Sequence, residues 1–90
     1  MSDSKSPVRP TTVKNGQTLR ECVHAAMATF FKQLDGQPVS DLYDLVMTEV
    51  EGPLLQEVMK HAQDNQSKAA EILGLNRGTL RKKLKQHNLL

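Results

Sequence analysis

The chain has 90 residues, a mass of 10.0 kDa and a formal net charge of +2. Its 38% hydrophobic and 24% charged residues make it too apolar for a wholly disordered chain and too short for more than one small domain. With no Trp, one Tyr and two Phe the core must be aliphatic, and the chain is too short to wall an enzyme pocket of usual size.

Residues 1–17 read as an arm, rich in Ser, Pro, Thr and Lys and without helical periodicity. Asn15-Gly16 favours positive φ and so allows a strand, a turn and a β-hairpin there. The start of the arm lacks the apolar stretch of a signal peptide, and the longest near-apolar run, residues 23–31, already contains His24 and Thr29. A membrane helix needs ~18 apolar residues or more. A cytoplasmic protein without a membrane span is expected.

A first helix starts at Thr18. Glu21 follows at the spacing in which each side chain satisfies the other's unpaired backbone N–H. Leu19, Val23, Ala26, Met27, Phe30 and Leu34 then recur on one helix face. Asp35-Gly36 ends it, with Gly36 free to adopt the left-handed conformation.

A second helix begins near Ser40 or Asp41, either of which can cap it. Leu42, Tyr43, Leu45, Val46, Met47, Val50, Leu54, Leu55, Val58, Met59 and Ala62 cover most of its circumference. A helix apolar nearly all round must be buried on several sides, and this chain is too short to do that alone. A homodimer is expected, with Val50, Leu54 and Val58 at its buried centre. Val23, Met27 and Phe30 on the first helix, and Val46 on the second, complete the expected interface. Pro53 removes a backbone donor and clashes with the carbonyl of Glu49. Because the apolar pattern resumes at Leu54, one helix kinked at Pro53 is expected, with Gly52 easing the bend.

Asn65 caps a third, short helix with Ala69, Ala70, Ile72 and Leu73 on its buried side, and Gly74 stops it. Asn76 caps a fourth, in which Leu80 and Leu84 form a narrow apolar seam. Three parts follow: residues 1–17 as the arm, 18–64 as dimerisation helices, and 65–90 as a segment of two short helices. The whole is all-α, with four helices.

Residues 66–85 have the order short helix, Gly turn, short basic helix, which is a helix-turn-helix. Ala70 is small where the helices cross, Leu75 plugs the gap beneath the turn, and Leu80 and Leu84 seat the last helix. Charge follows the same division. Residues 65–90 hold six basic residues against Glu71 alone, a net +5, whereas residues 1–64 hold six basic against nine acidic, a net −3. Such asymmetry suits a polyanion. Arg77, Thr79, Arg81, Lys82, Lys83 and Lys85 fall on the free face. Arg77 stands at the helix N-terminus, which comes closest to base edges in a major groove, where Arg can donate twice to guanine. Asn76 beside it can cap the helix or read a base.

Residues 18–90 closely resemble the Fis (factor for inversion stimulation) family of bacterial nucleoid-associated DNA-binding proteins. The resemblance rests on Gly36-Gln37, Asp41-Leu42-Tyr43, Val50-Glu51 with Pro53-Leu54-Leu55, and above all residues 76–85, Asn-Arg-Gly-Thr-Leu-Arg-Lys-Lys-Leu-Lys. Bacterial enhancer-binding activators end in a similar helix-turn-helix, but they are far longer and carry an ATPase domain. The resemblance implies an intertwined homodimer whose first two helices from each subunit form a four-helix core. It implies that Asn76, Arg77, Thr79, Arg81 and Lys82 face double-stranded DNA, and that Asn65, Gln66 and Ser67 lie near a phosphate. It further implies DNA bending, transcription regulation, nucleoid organisation, and RNA polymerase or a DNA invertase as partners. The arm departs from the family, because its Ser, Pro and Thr do not align with invertase-contacting residues.

Other readings fare worse. A lone Cys22 makes no internal disulfide, and Cys22 and His24, two apart on a helix, diverge; His61 and His87 lie far off, so no metal is expected. Residues 74–78 lack the Gly-Lys-Ser/Thr end of a phosphate loop. Asp41, Asp44, Glu49, Glu51 and Glu57 read as a solvated helix surface, not as acid–base pairs. No catalytic residue and no cofactor is expected. The alternative to DNA binding is an all-α protein-interaction adaptor with a basic C-terminal tail; Asn76 and Arg77 at a helix start behind a Gly turn argue against it.

Overall fold

The computed structural model describes residues 17–90. The arm expected over residues 1–17, with its Asn15-Gly16 turn, lies outside them except for Gln17. The described residues are all-α: α1 runs Leu19–Leu34, α2 Leu42–His61, α3 Gln66–Leu73 and α4 Arg77–Gln86, with no strand among them. They fall into two compact units divided between Val39 and Ser40.

The first unit holds α1. Its start is set by Thr18, whose Oγ1 accepts from the Glu21 N–H at 3.0 Å while Glu21 Oε1 accepts from the Thr18 N–H at 2.9 Å. Two N–H groups that the helix leaves unpaired are thereby satisfied. The end takes two left-handed residues, Asp35 (φ 52°) and Gly36 (φ 83°). No residue of α1 is buried. Val23 is exposed, and Met27 and Phe30 are half-exposed.

The second unit holds α2, α3 and α4. α2 runs unbroken through Pro53. Its start differs from expectation. Asp41 occupies the cap position but is left-handed (φ 58°) and makes no side-chain capping bond. A capping residue is normally extended, which aims its side chain at the free N–H groups; Asp41 lacks that conformation. The end of α2 bends through Gln63 (φ 55°) and Asp64 (φ 63°), where the Asp64 N–H bonds back to the Met59 carbonyl.

The core of this unit is Leu55 and Ala62 from α2 and the turn after it, Ala69 and Ala70 from α3, and Leu80 and Leu84 from α4. Val58, Met59, Leu73 and Leu89 pack around it. Leu55, Leu80 and Leu84 are fully buried, worth about 1.5–3 kcal/mol each in transfer from water. Ile72, expected on the buried side of α3, is exposed instead, because the covered stripe of that helix runs through Ala69, Ala70 and Leu73. The first half of α2 contributes nothing to this core. Tyr43, Leu45, Met47, Val50 and Leu54 are exposed, and Leu42 and Val46 are half-exposed. No described helix is long and apolar enough to cross a membrane.

Candidate nucleic-acid interface

The site is built from the turn outward. Gly74 sits at φ 75°, a conformation in which a side chain is strained, and the Leu75 N–H reaches back to the Ala70 carbonyl while the Gly74 N–H reaches Glu71. This pairing satisfies the last carbonyls of α3. The chain then turns in three residues, with Leu75 half-buried beneath. Ala69 and Ala70 are buried against α4 because their single methyl groups let the backbones approach.

Asn76 opens α4. Its Oδ1 accepts from the Thr79 N–H at 2.9 Å, so the side chain is committed to capping. Asn65 does the same for α3, accepting from Lys68 at 3.1 Å. Arg77 is the first residue of α4 and is exposed, as are Arg81, Lys82 and Lys85. Lys82 stands opposite the Leu80–Leu84 seam and Arg81 and Lys85 flank it, whereas Arg77, one turn before Leu80 on the same side, is exposed because it lies at the helix start. Thr79 is half-buried. Ser67 is exposed at the start of α3, and Gln66 is half-buried with its Oε1 accepting from Arg81 Nη1 at 3.1 Å. That bond joins the start of α3 to the middle of α4. Asn65, Gln66, Ser67, Asn76, Arg77, Thr79, Arg81 and Lys82 are thus gathered on the α3–α4 unit.

Lys83 departs from the expected free face. Its ammonium lies 2.7 Å from Glu51 Oε2, with 31% of its side chain exposed. His87 Nε2 lies 2.9 Å from the other oxygen, Glu51 Oε1. A carboxylate only accepts, so Nε2 carries the proton. The hydrogen bonds from Lys83 and then His87 hold the Glu51 carboxyl below the usual range; burial opposes them, and the charges of the two partners add smaller lowering effects. Glu51 is therefore no solvated surface carboxylate. Gly52 has a second purpose besides easing Pro53: a Cβ there would lie 3.3 Å from His87 Nδ1, so glycine leaves room for the ring. The missed signal was Glu51-Gly52 itself, a carboxylate beside a helical glycine.

α4 ends as α3 does. Asn88 is left-handed (φ 58°), the Leu89 N–H bonds to the Leu84 carbonyl at 2.8 Å, and the Asn88 N–H bonds to Lys85 at 3.1 Å. Leu89 is thereby folded back onto the core.

Residues 46–87 match a family described as bacterial regulatory protein, Fis family. Residues 1–39 match the DNA-binding protein Fis N-terminal domain. A protein of Pseudomonas aeruginosa, provisionally named as a Fis-like DNA-binding protein, is 59% identical over 80 residues, covering 89% of this chain and 77% of its own.

Proposed function

The chain belongs to the Fis family of DNA-binding proteins, which are regulators and not enzymes, and from that premise we propose that it works as a homodimer that binds and bends double-stranded DNA through α3 and α4. The observation that carries this reading is the basic face of α4. Arg77, Arg81, Lys82 and Lys85 are all exposed on a helix whose apolar side is fully covered by its own chain. Arg77 reads a base edge; Lys82 and Lys85 hold phosphates; Asn65, Gln66 and Ser67 bring the start of α3 to a phosphate, where free N–H groups favour an anion. Lys83 is the weakest member of the set, because its charge already has a partner.

Support for the homodimer comes from apolar surface without a cover. Val23 on α1, and Val50 and Leu54 on α2, are each 41–48% exposed in the single chain. Met27, Phe30, Val46 and Val58 adjoin them along their helices. Two recognition helices on so small a core bind straight DNA only if they stand about 34 Å apart. A shorter span bends the duplex, at a cost of about 1–6 kcal/mol for a 20–30 bp site. In the cell this activity serves transcription regulation and nucleoid organisation, with the protein in the cytoplasm on the nucleoid. RNA polymerase or a DNA invertase is the protein partner such a role engages.

Binding to duplex DNA at graded salt tests the reading. With several phosphates neutralised per subunit, the slope of log affinity against log salt should be about −5 or steeper. Arg77→Ala should cost about 1–3 kcal/mol at a preferred site and flatten discrimination at one base pair. Lys85→Ala should weaken every sequence by one smaller amount. A flat salt response overturns the reading in favour of a protein-interaction adaptor.

A further inference from the structure

We propose that Glu51 is a positioning residue for DNA recognition: with Lys83 and His87 it clamps the recognition helix to α2, and Lys83 serves that clamp instead of a DNA phosphate. The proposal rests on the DNA-binding reading above.

The geometry is specific. Lys83 on α4 and His87, which caps its end, lie one turn apart, and each takes a different oxygen of the same carboxylate, at 2.7 Å and 2.9 Å. One bond would leave α4 free to roll about the contact. Two bonds to the two oxygens of one planar group restrain both its rotation and its slide along α2. Only 11% of the His87 side chain is exposed. Its ring is seated over Gly52, the residue next to Glu51, where a Cβ would stand 3.3 Å away. Leu84, between the two clamp residues in sequence, is fully buried. Apolar burial is non-directional, so Leu80 and Leu84 hold α4 down without fixing its bearing. The clamp supplies a bearing on α2, as the Arg81–Gln66 bond supplies one on α3.

The neighbouring charges are engaged elsewhere or stand apart. Arg81 is bonded to Gln66, and Glu57 lies nearest Lys60. Lys68 and Glu71 of α3 make no ion pair among the described residues. Glu51 thus joins the helix that carries uncovered apolar surface to the helix that carries the DNA-facing charges. In a homodimer, the bearing of α4 on α2 sets the distance between the two recognition helices. A carboxylate remote from the DNA would in this way decide which half-site spacing is accepted.

The test uses the full chain and the variants E51Q, K83M, E51Q/K83M, K85M and the exchange E51K/K83E. Each is measured for duplex affinity against salt and for preference between two duplexes with identical half-sites whose centres differ in separation by one base pair. Circular dichroism checks that each variant is helical. The proposal expects K85M to lower the salt slope by about 0.9 for each phosphate it no longer neutralises and to leave spacing preference intact. K83M should leave the slope unchanged and reduce spacing preference several-fold. E51Q should do the same, the double variant should lose no more than E51Q alone, and the exchange, which restores one of the two bonds but leaves His87 facing an ammonium, should recover part of the preference. Three results overturn it: a slope for K83M that falls as K85M's does, unchanged preference in E51Q, or additive losses in the double variant. If E51Q does not fold, K83M alone decides through its slope and its preference. Failure of the unmodified protein to bind duplex is a separate outcome; it overturns the DNA reading and the clamp's role in recognition together.

Discussion

The stretch from Leu55 to Leu89 and the stretch from Leu42 to Leu54 are continuous in sequence yet solve burial in opposite ways. In the first, three helices close over a small aliphatic core that leaves Leu55, Leu80 and Leu84 without solvent. In the second, Tyr43, Leu45, Met47, Val50 and Leu54 face outward, and α1, taken by itself, buries nothing. Small residues at the helix crossing and two sharp turns let the helix-turn-helix pack on itself. The helices before it are too long and too apolar for the chain available to cover them. One part finishes its fold within a single chain, and the other presents surface that a second copy would complete.

The largest expected effect lies in the self-contained part. Leu84→Ala removes a fully buried side chain from a core of few residues and should cost about 2–5 kcal/mol. In so small a domain that is a large fraction of the stability. Urea unfolding followed by circular dichroism reads it, and an unchanged midpoint would mean that α4 is not seated through Leu84.

Leu54→Ala tests the other part. The side chain is 48% exposed in one chain, and a lone surface leucine would change stability by no more than about 0.5 kcal/mol. At a dimer interface the same change should cost about 2 kcal/mol per subunit. It should also shift the concentration dependence of the unfolding midpoint, because association and folding are then linked. A midpoint independent of protein concentration in the unmodified chain would remove the contrast between the two parts.

A smaller effect, of the opposite sign, is expected at the first sharp turn of the self-contained part. Gln63 holds φ 55° at the end of α2, a conformation that costs a residue with a Cβ roughly 1–2 kcal/mol. Gln63→Gly relieves it but loosens the unfolded chain, so a net gain of about 0.5–1 kcal/mol is expected in the urea midpoint.

The smallest effect is on pH dependence. The carboxyl of Glu51 is held below its usual range by Lys83 and His87. A group whose folded pKa is depressed adds stability above its unfolded value, about 4.3 for Glu, and loses it as pH falls toward the folded value. Stability of the unmodified chain should therefore fall more steeply below that pH than stability of E51Q. Parallel curves would show that the clamp contributes no such linkage.

Much of this was legible in residue order because the signals are local. Thr18 with Glu21, Asn65 with Lys68, and Asn76 with Thr79 are each bonded across three residues, a spacing visible as a string. Gly74 announces the turn because few other residues adopt its φ at low cost. The amphipathic face of α1 and the seam of Leu80 and Leu84 follow from helical periodicity. Asp41 shows where such reading stops: its residue type favours a cap, but its backbone conformation, set by the turn before α2, denies the bond.

The four helices, the helix-turn-helix and the family are all legible in residue order alone. Which charges are free emerges once the helices pack. Lys82 and Lys83 are adjacent and chemically identical, yet one faces outward and the other meets Glu51, 32 residues earlier; His87 reaches the same carboxylate across 36 residues. The physical reason is that helical periodicity fixes which residues share a face of α4, whereas the partner of that face depends on how α4 crosses α2, which no local pattern encodes.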